Sequence, residues 1–537
     1  MRAIIVATMA GSVPGWSMVR RLPGQLLQRS PFDGSIFPVR IPTLVSRGRP
    51  RLPFPHPWNY RKPLEILQSC HWNADSLEGD GRHSRYLNIP GFPPVLITRD
   101  PALIRAIAKD SGDRDGQFER DTVLATGIAK GTGYNMLLYA NGPLWRRQRK
   151  LAAAPFGKTS LFQPERFEEF EQTFRATVRK RLKKLYELTQ QSGPDVYVAL
   201  EPEIKPIMLE LLSCNFFGAE VSYQQIADRY VPAMDRVIDR MVSDTVIKLG
   251  VPYRELPRFL PGVAEAREDY LIFNELVDLV LEGRHAGRGL WERFKSDAPD
   301  EALRSNLRLV LAGALEATTS FASWAISHLA RNQEAQQKAF LEIQQVESYT
   351  PEKLEDASYF GRVLEETLRL TPPLYFLPRR APTRIRVELP DGRDLVIPSG
   401  AYILLDHWSA NRHEDHWGVN ATGYPATVFA PERWEWLAEH QRSSKDFLHF
   451  GFGHGPRVCP GKHLGELEVA LVVGAFIRLF RFSARSPDNP AVAGISTKPA
   501  DAALVKLELR EDAPVSDKRL FDAMPGFRCP HSGHGQE

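Results

Sequence analysis

The sequence predicts a mostly α-helical chain with a smaller β-sheet region, folded as a single large domain. Three observations carry this. Hydrophobic residues make up 43% and charged residues 25% of the 537, ordinary usage for a globular protein with a large core. Helical periodicity with charged outer faces recurs from about residue 165 to residue 346. Between Pro378 and Leu405 the period changes to that of strands.

In chain order, Pro94-Val95-Leu96-Ile97-Thr98 alternates as a short strand. Asp100 before Pro101 reads as a helix start, an acceptor side chain followed by a residue with no N–H to satisfy. Helices are expected across Glu165 to Leu188, Tyr223 to Val246, Ala264 to Gly283, Glu301 to Asn332 and Ala335 to Val346, with a further start at Thr350-Pro351-Glu352. The apolar stretch Leu307 to Ile326 is interrupted by Arg308, Glu316 and a run of Thr and Ser, so it reads as a buried core helix and not a membrane span. Ile385 to Leu389 and Leu395 to Ile397 are β-type runs with Asp391-Gly392 as a hairpin turn. Residues 406 to 460 are rich in Pro, Trp and Gly with little periodicity, and so long an irregular segment in a compact domain is usually functional. A final helix, Leu464 to Leu479, follows.

From Met1 to Leu64 ten Lys or Arg residues face one acid, Asp33, the composition of a basic leader or membrane-surface segment, with a solvated tail as the plainer alternative. Ala3 to Val13 is too short and too rich in Gly and Ser to span a bilayer. Residues 65–510 then form the main domain and residues 511–537 a polar C-terminal tail, whose Cys529, His531 and His534 read as a frayed end sooner than as a metal site. The net charge of +4 gives no reason to expect a nucleic-acid partner. Cys70, Cys214, Cys459 and Cys529 are too scattered for a disulfide framework, which points to a reducing, intracellular location. Membrane surface (endoplasmic reticulum), mitochondrion and cytosol stay open.

The strongest motif lies in Phe450-Gly-Phe-Gly-His-Gly-Pro-Arg-Val-Cys-Pro-Gly461, where Phe452, Gly455, Arg457, Cys459 and Gly461 fill F-x-x-G-x-R-x-C-x-G. Five fixed positions arise by chance in such a chain only about once in ten thousand. The glycines do not make a dinucleotide loop: Gly451-x-Gly453-x-x-Pro456 lacks the third glycine and no strand precedes it. On this loop the chain resembles the cytochrome P-450 family. The resemblance implies the cytochrome P-450 fold for residues 65–510 and a haem b, iron protoporphyrin IX, with the Cys459 thiolate as axial ligand. Missing side chains at Gly455 and Gly461 would let a flat porphyrin approach the backbone. A helix N-terminus just after Cys459 favours the thiolate, and Arg457 can pair with a haem propionate.

Other segments fit the same resemblance. Glu366 and Arg369 supply an E-x-x-R on one helical face, and Pro431-Glu432-Arg433-Trp434 looks like the family's P-E-R motif, so Glu366, Arg369 and Arg433 are expected to form a buried structural network beneath the haem. Trp145 and Arg149 fit a W-x-x-x-R helix, and Arg379 fits the arginine of the strand after Pro372-Pro373, all three toward the propionates. Registering the long helix on Ser323-Trp324-Ala325 puts Glu316 at the acid of the oxygen-binding text, Ala317 where its first Thr usually stands, and Thr318 at the second. A shift of one residue moves Thr318 to the oxygen position but loses the acid and the small residues before it. Glu316, Ala317 and Thr318 are therefore the expected catalytic positions, with an incomplete proton relay that Glu316, Thr318, water or a substrate group must complete. The implied activity is a monooxygenase that uses O2 and electrons from NADPH, through a separate cytochrome P-450 reductase or ferredoxin, on a small organic molecule. Oxidative coupling, ring closure or rearrangement is the alternative, and a haem sensor or carrier a remote one. Substrate contacts are expected near residues 112–140 and 215–255, on the long helix, at Leu374 to Leu377 and at Ile495 to Thr497.

Overall fold

The computed structural model describes residues 83–87, 95–112, 118–121, 126–134, 136–192, 196–247, 251–289, 300–346, 348–350, 359–392, 394–440 and 449–513. The basic leader, most of the polar tail and the helix start at Pro351 lie outside the described residues.

Most of the described chain is helical. The first helix, α1 (Pro101–Lys109), starts as its sequence requires, with the Asp100 carboxylate accepting from the N–H groups of Ala102 (2.9 Å) and Leu103 (3.3 Å). There follow α2 (Thr126–Thr132), α3 (Gly142–Ala153), α4 (Pro164–Ser192), α5 (Glu201–Glu210), α6 (Val231–Ile247), α7 (Val263–His285), α8 (Asp300–Arg331), α9 (Gln333–Ile343), α10 (Tyr359–Leu370), α11 (Glu432–Glu439) and α12 (Lys462–Leu479). The sequence-derived ranges differ from these by a few residues at each end, because helix ends are set by caps and contacts outside the periodic segment.

α8 is the central beam. Its 32 residues pack against α5, α12, α10 and two strands, and the main apolar core gathers around it. Among the described residues it is the one helix long and apolar enough to cross a membrane, yet 72% of that apolar window is buried inside the molecule, as in a core helix. It is α-helical throughout, with no bulge.

The β region is larger than the sequence suggested. Strands β1 (Ser84–Leu87), β2 (Val95–Thr98), β4 (Phe376–Arg380) and β7 (Tyr402–Asp406) make a sheet in the order β1-β2-β7-β4, with β2 and β7 parallel and the other pairs antiparallel. β5 (Ile385–Glu388) and β6 (Asp394–Ile397) form the expected hairpin, with Gly392 at φ +83° in its turn. β3 (Tyr197–Ala199), β8 (Phe480–Ala484) and β11 (Leu504–Leu509) make an antiparallel sheet, and β9 (Ala491–Ala493) pairs with β10 (Thr497–Pro499). These last five were not expected. They are three to six residues long, and β8 follows α12 with no turn signal between. Residues 406–460 also hold single helical turns at His407–Ala410, Glu414–Trp417 and Val419–Thr422, each too short to print a period.

Candidate active site

A cavity of about 280 Å³ lies between α8 and the loop before α12. Its walls include Gly313, Ala314, Ala317, Thr318 and Phe321 of α8, and Phe452, Arg457, Cys459 and Gly461 of the loop. The Cys459 thiol opens onto this space. Burial in the protein body pushes it up, while the Gly461 N–H aimed at the sulfur and the Arg149 charge pull it down.

The loop is held by its backbone. The Cys459 N–H donates to the Phe452 carbonyl at 2.9 Å, and the Gly453 N–H to the Phe450 carbonyl at 2.9 Å. Gly455 has φ +71°, and a Cβ there would come within 2.4 Å of the Ala108 carbonyl oxygen at the end of α1. Its bare Cα thus serves loop packing against α1, not the approach of a flat group as expected from the sequence. Gly461 fits that expectation better, since a Cβ there would meet only the Cys459 sulfur, at 3.9 Å.

Beneath the loop, Glu366, Arg369 and Arg433 are fully buried and joined. Arg369 grips the Glu366 carboxylate with Nε and Nη2, both at 2.8 Å, and Arg433 Nε reaches it at 3.3 Å. The Ala430 N–H also donates to it at 3.0 Å. The remaining guanidinium donors go mostly to main-chain carbonyls, Arg369 to Asn411 and Ala426, both at 2.7 Å, and Arg433 to Trp417 (2.6 Å), Tyr424 (3.0 Å) and Pro425 (2.8 Å), and Arg433 also donates to the Thr422 hydroxyl. Asn411 Oδ1 in turn accepts from the Phe450 N–H at 3.2 Å, which carries the network to the loop.

Arginines from separate elements gather at the cavity. Arg120, Arg149 and Arg457 line it, with Trp145 and His407 beside them, and the buried Arg379 lies behind the wall, near enough to Arg120 and Arg457 to be repelled by both. Arg457 donates to the Ala140 carbonyl and Asn141 Oδ1, each at 2.8 Å, and lies over the Trp145 ring. Arg379 donates to Ser111 Oγ at 2.9 Å, and Arg149 to the Val458 carbonyl at 2.7 Å. Among the described residues no carboxylate pairs with any of the four. The Nε atoms of Arg120 and Arg457 are buried without a partner. Burial drives the guanidinium of Arg120 down to about 10 and that of Arg457 to about 9, with their mutual repulsion adding to the second, and Arg379 falls further. A pocket that buries this much positive charge is built for an anionic group.

The distal helix departs from the sequence reading. Ala317 and Thr318 line the cavity, but Glu316 does not. Both its oxygens are engaged on the other side of α8, where Lys205 pairs with Oε1 at 2.5 Å and Ser496 Oγ (3.0 Å) and Lys498 (3.5 Å) meet Oε2. Burial pushes this carboxyl up, but Lys205 and Lys498 outweigh it and hold it ionised below the usual range. The expectation that Glu316 supplies protons at the cavity wall is corrected accordingly: at 100° per residue, a helix that presents 313, 314, 317 and 318 to one side turns 316 outward. Thr318 Oγ1 donates to the Ala314 carbonyl at 2.9 Å. Ile495 to Thr497 are likewise absent from the cavity wall, with Ser496 on Glu316 and the Thr497 carbonyl accepting from Ser320.

Three polar wall residues were given no role by the sequence reading. Arg120 and His407 sit in no motif. Glu468 is buried on α12 with burial pushing its carboxyl up to about 8, and it looked like any polar position of a helix.

The family model for Cytochrome P450 matches residues 86–286 and 274–504, almost the whole of the described chain. The chain belongs to the cytochrome P450 family, and is therefore a haem- and iron-binding oxidoreductase of the monooxygenase type. Its relatives include plant proteins. Cytochrome P450 71A16 of Arabidopsis thaliana is 28% identical over 473 residues, 84% of this chain and 90% of that one. The ent-isokaurene C2/C3-hydroxylase of Oryza sativa subsp. japonica is 23% identical over 502 residues, 85% and 91%. The 11-oxo-beta-amyrin 30-oxidase of Medicago truncatula is 25% identical over 415 residues, 73% and 74%.

Proposed function

We propose that this protein holds haem b through the Cys459 thiolate and inserts one oxygen atom of O2 into an apolar small organic molecule bound against α8. One observation carries the reading: a single cavity has a thiol open to it and three wall arginines without a carboxylate, with Arg379 buried close behind them, which suits a flat macrocycle bearing two carboxylates. Arg120, Arg149 and Arg457 would hold those carboxylates, with Arg379 close behind and Trp145 packed under Arg457. When bound, the haem supplies activation of O2, and its thiolate ligand favours O–O cleavage.

The chain's own residues do the rest. The Gly461 N–H withdraws charge from the sulfur. Leu309, Val310, Ala314, Phe321 and Leu374 give the substrate space an apolar wall that keeps out water. The amide of Asn306, also in that wall, is held in place: its Oδ1 accepts from the Leu137 N–H, and both Nδ2 protons are donated, to the Ala302 carbonyl and to Gln148. It therefore offers a substrate no donor. Electrons come from NADPH through a separate reductase or ferredoxin, an acidic donor that docks where Arg146, Arg147 and Lys150 are exposed and Lys462 is half exposed. The basic segment 1–64 would hold the protein at an intracellular membrane surface, and residues 65–510 form its haem domain. Ala317 favours a second reading, oxidative coupling or ring closure, because a wall without a hydroxyl at that point delivers protons poorly.

The test is the spectrum of the reduced protein with carbon monoxide, followed by spectral titration with a library of apolar metabolites. Cys459→His should keep some haem but lose the thiolate-specific band and all oxygenation. An unchanged band in that variant refutes the assignment, and O2 consumption without an oxygenated product selects the second reading.

A further inference from the structure

The helix that carries Glu366 carries a second glutamate beside it, and that one is tied to the start of the cysteine loop. Glu365 on α10 accepts from His449 Nε2, so α10 supports the loop through two adjacent acids about 100° apart on one helix. Burial pushes the Glu365 carboxyl up, but His449 and then Lys462 of α12 outweigh it and hold it ionised below the usual range. The imidazole is mostly enclosed, its side chain 11% exposed, with the Trp434 ring of α11 edge-on to it at 6.0 Å.

The second ring nitrogen faces the main chain. The Gly451 N–H donates to His449 Nδ1 at 3.1 Å, so Nδ1 carries no proton and the ring is the Nε2–H tautomer, which its bond to Glu365 also requires. This is the arrangement of an Asx turn, a side-chain acceptor on the N–H two residues on, made here by a histidine. Gly451 suits it: a Cβ there would come within 3.0 Å of both His449 Nδ1 and the Leu368 Cβ, and would press the imidazole out of place. The other end of the same peptide unit is held as well, because the Phe450 carbonyl accepts from the Gly453 N–H at 2.9 Å. A planar peptide held at both its N–H and its C=O resists rotation, and it fixes the turn over residues 450 to 453. Within that turn the Phe452 carbonyl accepts the Cys459 N–H at 2.9 Å.

We propose that His449, oriented by Glu365, is a positioning residue of the cysteine loop: its Nδ1 fixes the Phe450–Gly451 peptide and, through it, the geometry in which the Cys459 sulfur is presented to the cavity. The inference rests on the reading of Cys459 as the haem ligand. Glu366, through its arginines, grips the segments beneath the loop, whereas Glu365 acts through one imidazole on the loop itself.

The experiment uses the haem-loaded protein and three variants. His449→Phe keeps a ring against Trp434 but can neither accept nor donate, and it should shorten the lifetime of the thiolate-specific carbon monoxide band on the order of 10-fold, the size of one lost hydrogen bond. It should also shift the iron–sulfur stretch in the resonance Raman spectrum of the ferric protein. His449→Asn, whose Oδ1 stands where Nδ1 stood, restores the acceptor without reaching Glu365, and should recover the stretch and most of the lifetime. Glu365→Ala keeps the acceptor but frees the ring, and its lifetime should fall between those of the parent and His449→Phe. A parental lifetime in His449→Phe or Glu365→Ala, or equal losses in His449→Phe and His449→Asn, overturns the proposal. So does a shortened lifetime with an unmoved stretch, because a merely structural role weakens the fold without touching the sulfur. The haem assignment survives all of these and fails only if Cys459→His keeps the thiolate-specific band.

Discussion

Replacing Arg120 with methionine should move the haem-free and haem-bound proteins in opposite directions. In the structure Arg120 is 7% exposed, its Nε has no partner, and no described carboxylate pairs with it. Burial holds it at about 10 against an ordinary 12.5, which at about 1.4 kcal/mol per pH unit means that keeping the charge costs roughly 3 kcal/mol. Methionine fills much the same volume with no charge to bury. Haem-free Arg120→Met should therefore unfold at higher denaturant, by on the order of 2–3 kcal/mol, with an unchanged m-value. With haem bound, a charge-assisted hydrogen bond of about 1.5–3 kcal/mol is lost. Haem affinity should then fall on the order of 10³-fold, measured as the rate of haem transfer to an excess of an apo-globin acceptor. A haem-free variant less stable than its parent, or an unchanged transfer rate, would refute the reasoning that this arginine is stored charge awaiting an anion.

Glu366→Ala leaves two guanidiniums buried without their counter-charge and should cost about 3–5 kcal/mol in denaturant unfolding; a loss below about 1 kcal/mol would mean the main-chain carbonyls suffice. Glu468 ionises near 4.5 in the unfolded chain and near 8 when folded, so the folded state binds the extra proton between those values and its stability falls as pH rises through that window. Glu468→Gln should flatten that fall, by roughly 5 kcal/mol at pH 9, and equal pH slopes for parent and variant would sink the point. Gly455→Ala forces a left-handed backbone and a 2.4 Å clash with the Ala108 carbonyl, so haem retention at 37 °C should drop sharply while Gly494→Ala, built in open space, changes nothing.

The helical body and the cysteine loop were readable from sequence because each leaves a local mark. Long helices repeat their period many times over, and the loop fixes five residue types within ten positions. The E-x-x-R pair was readable only in company with Arg433, since the pair alone is common in any helical chain. Other features are not local. β8 and β11 pair residues more than twenty positions apart and add β3, roughly three hundred residues earlier, so no window of sequence contains the sheet. Arg120 and His407 join the arginine pocket from an irregular segment and from a single helical turn, with no spacing to announce them. Glu316 was placed by pattern at the right residue of α8, but whether a side chain faces the cavity or the lysines behind it is decided by helix rotation and by α5 and β10.

The Glu366, Arg369 and Arg433 network grips its loop by peptide carbonyls: those of Asn411, Trp417, Tyr424, Pro425, Ala426 and Val428. Every amino acid carries that same carbonyl. The hold is thus indifferent to what most of the loop spells. Four positions are exceptions, Thr422 whose hydroxyl also accepts from Arg433, Trp417 and Tyr424 whose rings lie against the two guanidiniums, and Gly423 with its left-handed backbone, while the other residues between 417 and 428 can drift in evolution or be rewritten by a protein engineer so long as the path of the chain is kept. Three side chains serve as a clamp for text that others are free to edit, which makes this stretch a natural place for one lineage to acquire a new surface while the chemistry above it stays unchanged.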